Sequence, residues 1–139
     1  MNGDVKRWVS QGSPFEAEFG YARAVVDGAW VHVSGTTGFD YPTMSLPTDI
    51  VGQCRQALAN IAAALAEAGA SCDDVVRVHY YVLDAGEFAT CAPLLRTHFS
   101  VARPAATMIV TAGLIDPRLR IEIEVTAHIG DNIPPQHPS

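Results

Sequence analysis

The chain has 139 residues, a length that suits one hydrophobic core and argues against a second independent domain. Its formal net charge is −6 and it contains no run of Lys or Arg, which argues against nucleic acid as a partner. A charged N-terminus and the lack of an apolar stretch of membrane-spanning length predict neither export nor membrane insertion, so we expect a cytoplasmic protein.

The N-terminal half is predicted to form a β-hairpin followed by one long helix. Two β-rich runs, residues 22–26 and 29–33, flank Asp27-Gly28, a pair typical of tight turns, and residues 7–10 are a candidate for an extra short strand. After a turn-rich segment, apolar residues recur at helical spacing up to Gly69. The apolar stripe of this helix is Ile50, Cys54, Leu58, Ile61 and Leu65. Its opposite, polar side is Gln53, Arg55, Gln56 and Asn60.

The C-terminal half is predicted to contain three strands and a second helix. The first strand alternates between a mixed face and an apolar face made of Val76, Val78, Tyr80 and Val82. The helix that follows has a buried stripe of Phe88, Cys91, Leu95 and Phe99. Pro93 should kink this helix or delay its start, because proline removes an internal hydrogen bond. Pro104 then opens a strand that ends at Val110, and the strictest alternation in the chain follows over residues 121–129.

The element order ββαβαββ predicts an α+β fold in which two helices cover one face of a mixed sheet. We expect one domain over residues 1–129, with residues 1–15 as an added strand or loop, and a flexible tail over residues 130–139. The uncovered face mixes polar with apolar groups, and this suits a subunit interface that contains a pocket. Its polar residues are Arg77, His79, Glu122, Glu124 and His128.

Several motifs, in their order and spacing over residues 20–129, resemble the Rid (YjgF-like) family of reactive-intermediate deaminases. They are Val33-Ser-Gly-Thr36, the long helix, Asp84 with Phe88, Pro104-Ala105 and Ile121-Glu-Ile-Glu124. The resemblance implies a chorismate-mutase-like fold and a homotrimer with three clefts between adjacent subunits. In the family's deaminases the cleft binds the carboxylate of a 2-imino or 2-enamino acid through an arginine. A glutamate there helps position the water that attacks the imine carbon.

The resemblance also implies a set of site residues. Tyr21 matches the family's pocket tyrosine, Ser34 and Gly35 match its pocket loop, and Glu122 matches its glutamate. The hydroxyl of Ser34 and the loop amides, together with Thr36, are expected to donate hydrogen bonds to a ligand oxygen. The residues alone equally allow Glu122 to be an ordinary solvated or interface carboxylate.

The chain departs from the family where the arginine should stand, and so resembles a subgroup that lacks it. The family's Pro-Ala-Arg reads Pro104-Ala105-Ala106, the cysteine two residues further on is Met108, and an asparagine of the second helix is Ala92. Ala106 cannot supply the planar fork by which arginine binds a carboxylate, which puts ordinary 2-imino acid deamination in doubt. Arg103 would face the other side of a regular strand, but a bend at Pro104 could return it to the cleft.

Three functions follow as hypotheses. The first is an enzyme that hydrolyses an imine, enamine or similar unstable metabolite. In this enzyme Glu122 would help to position the attacking water and the Ser34 loop would bind the ligand. The second is a non-catalytic trimer that binds a small molecule or a subunit partner in the same cleft. The third, a ribonuclease, ranks last because the chain is acidic and lacks a phosphate-binding cluster.

No cofactor or metal is expected from the sequence. Three histidines (His32, His79 and His128) fall on separate predicted strands, and the three cysteines are widely spaced without a CxxC motif. Ser34 lacks both a nucleophile elbow and a base placed by the sequence, which argues against a catalytic serine.

Overall fold

The strand with the strictest alternation, Ile121–His128, lies inside the sheet and pairs antiparallel with a strand on each side. The computed structural model describes residues 6–130. Its strands are β1 (Lys6–Val9), β2 (Ala24–Asp27), β3 (Trp30–Thr36), β4 (Val75–Val82), β5 (Ala105–Val110) and β6 (Ile121–His128). Its helices are α1 (Pro14–Phe19), α2 (Ile50–Glu67), α3 (Ala85–Ala89) and α4 (Ala92–His98), with a short 3₁₀ turn at Cys72–Asp74.

The six strands form one mixed sheet in the order β1-β2-β3-β6-β4-β5. β4 and β5 are parallel and every other pair is antiparallel. The predicted hairpin is confirmed, since Asp27 pairs with Trp30 across a two-residue turn. The predicted α+β class is confirmed as well. The extra strand expected at residues 7–10 is β1, and the expected tail over 130–139 lies almost wholly outside the described residues.

Helix α2 covers one face of the sheet and packs on β3 and β6, so the core lies between this helix and the alternating apolar residues of the strands. The predicted apolar stripe from Ile50 to Leu65 is buried as expected. On the far side of the core, Phe88 of α3 stacks on Tyr80 of β4 with ring centroids 5.0 Å apart. None of the helices between residues 6 and 130 combines the length and apolar character needed to cross a bilayer.

Two residues assigned to the polar side of α2 are buried, which corrects the prediction from the sequence. Gln53 Nε2 donates to the carbonyls of Pro47 and Arg118, and its Oε1 accepts from the Arg120 amide at 2.7 Å. Asn60 Nδ2 similarly donates to two carbonyls of the loop that follows β3. Helical periodicity could not show this, because loops distant in sequence fold over that side of the helix and need hydrogen-bond partners there.

Three local departures from the predicted elements have identifiable causes. Val76 is exposed and Val75 is buried instead, since a register shift between β4 and β6 reverses the alternation at that point. The second helix is divided into α3 and α4, and Pro93 lies in the first turn of α4, where its missing N–H costs nothing. Helix α1 was not predicted, although Ser13 and Glu16 form a capping box at its start.

The face of the sheet opposite α2 carries the polar residues expected there. His79 lies opposite Glu124 and Tyr81 lies opposite Glu122 in the pairing of β4 with β6, so these side chains share one face. At the sheet edge, all six residues of β5 are exposed. Exposed apolar side chains cluster on and near this edge: Val101, Met108, Ile109 and Val110.

Replacing Gln53 with Ala should destabilise the fold by about 2–4 kcal/mol, because three backbone groups lose their partner in a part-buried setting. Urea unfolding followed by far-UV circular dichroism measures this change. Arg55→Ala, at an exposed position of the same helix, is the matched control and should change stability by less than about 0.5 kcal/mol. Equal effects of the two substitutions would contradict the anchoring role of Gln53.

Candidate functional site

A cleft of about 390 Å³ opens on the face of the sheet that α2 leaves uncovered. Its floor is made by the Ser34-Gly35 segment of β3 and by Glu122 of β6, with Arg23 beneath them, and its rim by Glu124, by α1 and by nearby loops. The lining residues on the rim are Phe15, Phe19, Tyr21, Thr37, Tyr41 and Ile115. The cleft therefore combines aromatic walls with a small number of charged groups, as ligand sites commonly do.

Glu122 lies on the cleft floor, tight against Gly35. A Cβ at Gly35 would overlap Glu122 Oε2, so the carboxylate reaches this place only because residue 35 has no side chain. Burial raises the pKa of the Glu122 carboxyl above its ordinary value, the positive charge of Arg23 opposes that rise, and the negative charge of Glu124 adds to it. A carboxyl group with a raised pKa in a cleft has the properties of a general acid–base group.

Arg23 lies beneath the cleft floor, with only 1% of its surface exposed. Its Nη1 donates to the Gly35 carbonyl at 3.0 Å and to Thr36 Oγ1 at 2.8 Å. The guanidinium carbon lies 5.6 Å from the centre of the Tyr21 ring and 5.7 Å from that of Tyr41, so the cation rests between two aromatic rings. Within residues 6–130 it forms no ion pair with a carboxylate.

The hydroxyl groups of the pocket loop are already engaged within the chain, which corrects the expectation that they donate to a ligand. Ser34 Oγ donates to the Ala22 carbonyl at 2.6 Å, and Thr36 Oγ1 donates to the Ser34 carbonyl at 2.7 Å. Thr36 is fully buried beneath the cleft. Ser34 retains acceptor lone pairs, but its proton is used to bind β3 to the segment that precedes β2.

Glu124, at the edge of the cleft, belongs to a separate polar cluster on the uncovered face. Tyr81 donates from its hydroxyl to Glu124 Oε1 at 2.7 Å, and His79 Nδ1 lies 3.2 Å from the same oxygen. The hydrogen bond to Glu124 raises the pKa of the Tyr81 hydroxyl. Among residues 6–130, no three His, Cys, Asp or Glu side chains are grouped so that they could hold a metal ion.

The residues predicted for the other wall of the cleft lie elsewhere in this chain. Ala106 pairs with Val78 and Met108 pairs with Tyr80, so both project toward the helix-covered side of the sheet, opposite Glu122. Arg103 adopts a positive φ of 45° and lines a different depression beside α4. Of the predicted site residues, the structure thus brings together Tyr21, Ser34, Gly35 and Glu122, with Thr36 just below them. It leaves the remaining three outside the cleft of the same copy.

Several cleft residues were not assigned to the site from the sequence. The Ser13-Pro14-Phe15-Glu16 capping box signals the start of α1, and a helix there would have placed Phe15 and Phe19. Arg23 precedes a strand and alternates with the core residue Ala24, which is the signal that could have placed it on the uncovered face. Tyr41 and Ile115 lie in irregular loops, and no local pattern places them.

Comparison with known proteins identifies the family of this chain. The Endoribonuclease L-PSP family model matches residues 12–129. The chain belongs to the Rid (YjgF-like) family. The mouse protein named 2-iminobutanoate/2-iminopropanoate deaminase is 30% identical to this Rid chain over 129 residues, which cover 91% of this chain and 94% of the mouse protein.

Solved structures of other Rid proteins share the fold. A member of the YjgF/YER057c/UK114 family from Mycobacterium tuberculosis has 39% sequence identity and a TM-score of 0.83, and the match covers 90% of this chain and all of that chain. RidA from the Antarctic bacterium Psychrobacter sp. has 33% identity and a TM-score of 0.75 over 78% of this chain and 88% of its own. The fold around the cleft is therefore that of Rid proteins.

The raised pKa of Glu122 should appear in the pH dependence of stability. Its carboxyl binds a proton more tightly in the folded than in the unfolded chain, so folding is less favourable once the pH rises above about 4, where unfolded glutamate titrates. Unfolding free energies of the wild type and Glu122→Gln at pH 4 and pH 8 should show that the wild type loses stability relative to the variant at the higher pH. An unchanged difference between the two proteins would mean that the Glu122 pKa is not raised.

Proposed function

We propose that this Rid chain hydrolyses a small imine or enamine in the cleft, with Glu122 as the acid–base residue. The observation that carries this proposal is the position of Glu122, since a carboxyl with a raised pKa lies on the floor of an aromatic-walled cleft against Gly35. The mouse relative named as an imine deaminase supports the same class of reaction. The reaction needs no redox change, because water replaces the nitrogen.

The chemistry requires one group that moves a proton twice. Glu122 accepts a proton from water as the water oxygen bonds to the carbon of the C=N group, and it passes that proton to the nitrogen, which gives a carbinolamine. Glu122 then accepts the hydroxyl proton of the carbinolamine and delivers it to the amino nitrogen as the C–N bond breaks, so the products are a carbonyl compound and ammonia. A carboxyl whose pKa is raised above its ordinary value is suited to both transfers.

We further propose that the working cleft lies between subunits of a homotrimer. Ala106 and Met108 lie on the side of the sheet opposite the cleft of their own chain, so only a neighbouring copy can bring them to it. The exposed apolar edge at β5 is of the kind that subunit contacts cover. The small-molecule ligand would then be enclosed by the floor of one copy and the β5 edge of the next.

Binding without turnover is the second candidate function, and Ala106 is the residue that favours it. In the family's deaminases an arginine stands at this point of the motif, and alanine can form no hydrogen bond to a carboxylate with its side chain. The same cleft would then hold a metabolite or a subunit partner. Ribonuclease activity remains the least supported candidate, because the chain carries a net charge of −6.

Glu122→Gln should reduce the turnover of 2-iminobutanoate or 2-iminopropanoate, generated in situ from the amino acids, by about 100-fold or more. The release of ammonia measures the rate. Glu67→Gln is the matched control: it removes an equal charge from an exposed position at the end of α2, outside the cleft, and it should retain the activity. Saturable binding of the corresponding 2-oxo acid with no turnover by the wild type would support the binding-only candidate instead.

Ile109→Glu should weaken the proposed trimer, since it places a charge on the exposed apolar edge formed by β5. Light scattering after size exclusion should give three chains for the wild type and a smaller species for the variant at the same concentration. Ala59→Glu, at an exposed position of α2 away from that edge, is the control and should leave the mass unchanged. A monomeric wild type would refute the proposed assembly.

A further inference from the structure

Arg23 is buried beneath the cleft with hydrogen-bonding capacity unused. A guanidinium carries five N–H donors. Two of them, on Nη1, bind the Gly35 carbonyl and Thr36 Oγ1. Nη2 reaches the Tyr21 hydroxyl at 3.4 Å, and Nε, which is buried, has no hydrogen-bond partner within residues 6–130. An N–H group of a cation that is buried without an acceptor is unusual and calls for an explanation.

The charge of Arg23 is also left without a direct counter-ion. Glu122 is close enough for the two charges to influence each other, but no carboxylate of the described residues forms an ion pair with Arg23. The rings of Tyr21 and Tyr41 stabilise the cation only in part. A buried charge without a counter-ion is costly, and its field is screened less than that of an exposed charge because the guanidinium itself is shielded from water.

The neighbouring space is the cleft, and Tyr21 connects it to Arg23. The Tyr21 oxygen accepts from Nη2, which leaves its own proton free to donate, and the side chain is 37% exposed on the cleft wall. An anionic group beside Tyr21 would meet both this proton and the field of Arg23. Glu122 lies on the other side of the Gly35 peptide, where the reacting carbon would be placed.

We propose that Arg23 selects a ligand with a single carboxylate, and that it supplies from beneath the floor the positive charge that Ala106 does not supply at the sheet edge. This inference rests on the proposed function for its reaction, but its prediction about binding stands by itself. The substrate would be of the class that the family's deaminases bind, a small 2-imino or 2-enamino acid, and the inference adds its orientation, with the carboxylate facing Tyr21 and the C=N group facing Glu122. Arg23 acts here as a positioning and selectivity residue and takes no part in proton transfer.

The test compares an anionic with a neutral probe of the same shape. The probes are 2-oxobutanoate and 2-oxobutanamide, and their dissociation constants for the wild type and for Arg23→Gln are measured by NMR titration or calorimetry. We expect the wild type to bind the anion at least about tenfold more tightly than the amide, a difference of about 1.4 kcal/mol. In Arg23→Gln, whose amide can still donate to the Gly35 carbonyl, this preference should disappear while amide binding is retained.

Two further variants separate charge from structure. Arg55→Gln removes the same charge from an exposed position of α2 and should leave the preference unchanged. Arg23→Lys keeps the positive charge but lacks the planar guanidinium, and it should keep part of the preference for the anion. This variant replaces Arg23→Gln in the test if Arg23→Gln does not fold. Equal loss of anion and amide binding in Arg23→Gln would show a purely structural role and overturn the proposal. The proposal would also be overturned if the wild type showed no preference for the anion. It would equally be overturned if Arg103→Gln abolished that preference and Arg23→Gln did not.

The same samples distinguish this inference from the proposed function. Ammonia release from 2-iminobutanoate reports the reaction, whereas probe binding reports the selectivity. A wild type that prefers the anion but releases no ammonia would refute the hydrolase and leave the role of Arg23 intact. Ammonia release that is equally fast in wild type and Arg23→Gln, with an unchanged KM, would leave the hydrolase intact and refute the role of Arg23.

Discussion

The lack of a side chain at Gly35 is the constraint on which the candidate site depends. The Glu122 carboxylate lies where a Cβ of residue 35 would be, and the guanidinium of Arg23 is hydrogen-bonded to the carbonyl of the same residue. Two opposite charges thus both contact Gly35 without forming an ion pair with each other. Had the two groups met directly, each would have neutralised the other, the Glu122 pKa would have been lowered, and neither group would have been available to a ligand. The close packing of β3 against β6 at Gly35 therefore holds the two charges close together but leaves each free to interact with a ligand.

The rest of the fold can be understood as support for this arrangement. Helix α2 covers the opposite face of the sheet, and its buried Gln53 and Asn60 hold the loops that flank the cleft through hydrogen bonds to backbone carbonyls. Ser34 donates to the Ala22 carbonyl, so the segment that leads into Arg23 is hydrogen-bonded to the part of β3 that carries Gly35. Positioning of this kind is what a reaction that relies on a correctly placed carboxyl requires, because a site that shifts with each thermal motion loses the geometry for proton transfer.

Much of the fold could be predicted from the sequence where the pattern is local and regular. The hairpin, α2 and β6 have strong periodicities, and each appears as predicted. The failures lie where distant segments decide the outcome: Gln53 is buried because loops fold over it, and Val76 is exposed because pairing with β6 shifts its register. In the site, resemblance to the Rid family pointed to Tyr21, Ser34, Gly35 and Glu122, and the fold brings these four together. Arg23 was not assigned because its role depends on the contacts that bury it, and these join segments separated by many residues.

In this chain the cation beside the cleft is Arg23, beneath the floor, and the β5 edge carries Ala106 in place of the family's arginine. This difference has a consequence for the proposed assembly. In the family's deaminases the arginine stands in the motif that occupies the β5 edge here, and in a trimer this edge would belong to the neighbouring copy. In this chain the carboxyl and the cation both lie on the floor formed by a single copy, so the neighbour need supply only an apolar wall of suitable shape. An apolar wall tolerates substitutions of similar volume, whereas a bidentate arginine does not. In the proposed trimer the β5 edge would therefore be free to vary with subunit packing, and Ala106 and Met108 would contribute to that contact rather than to binding the ligand's charge.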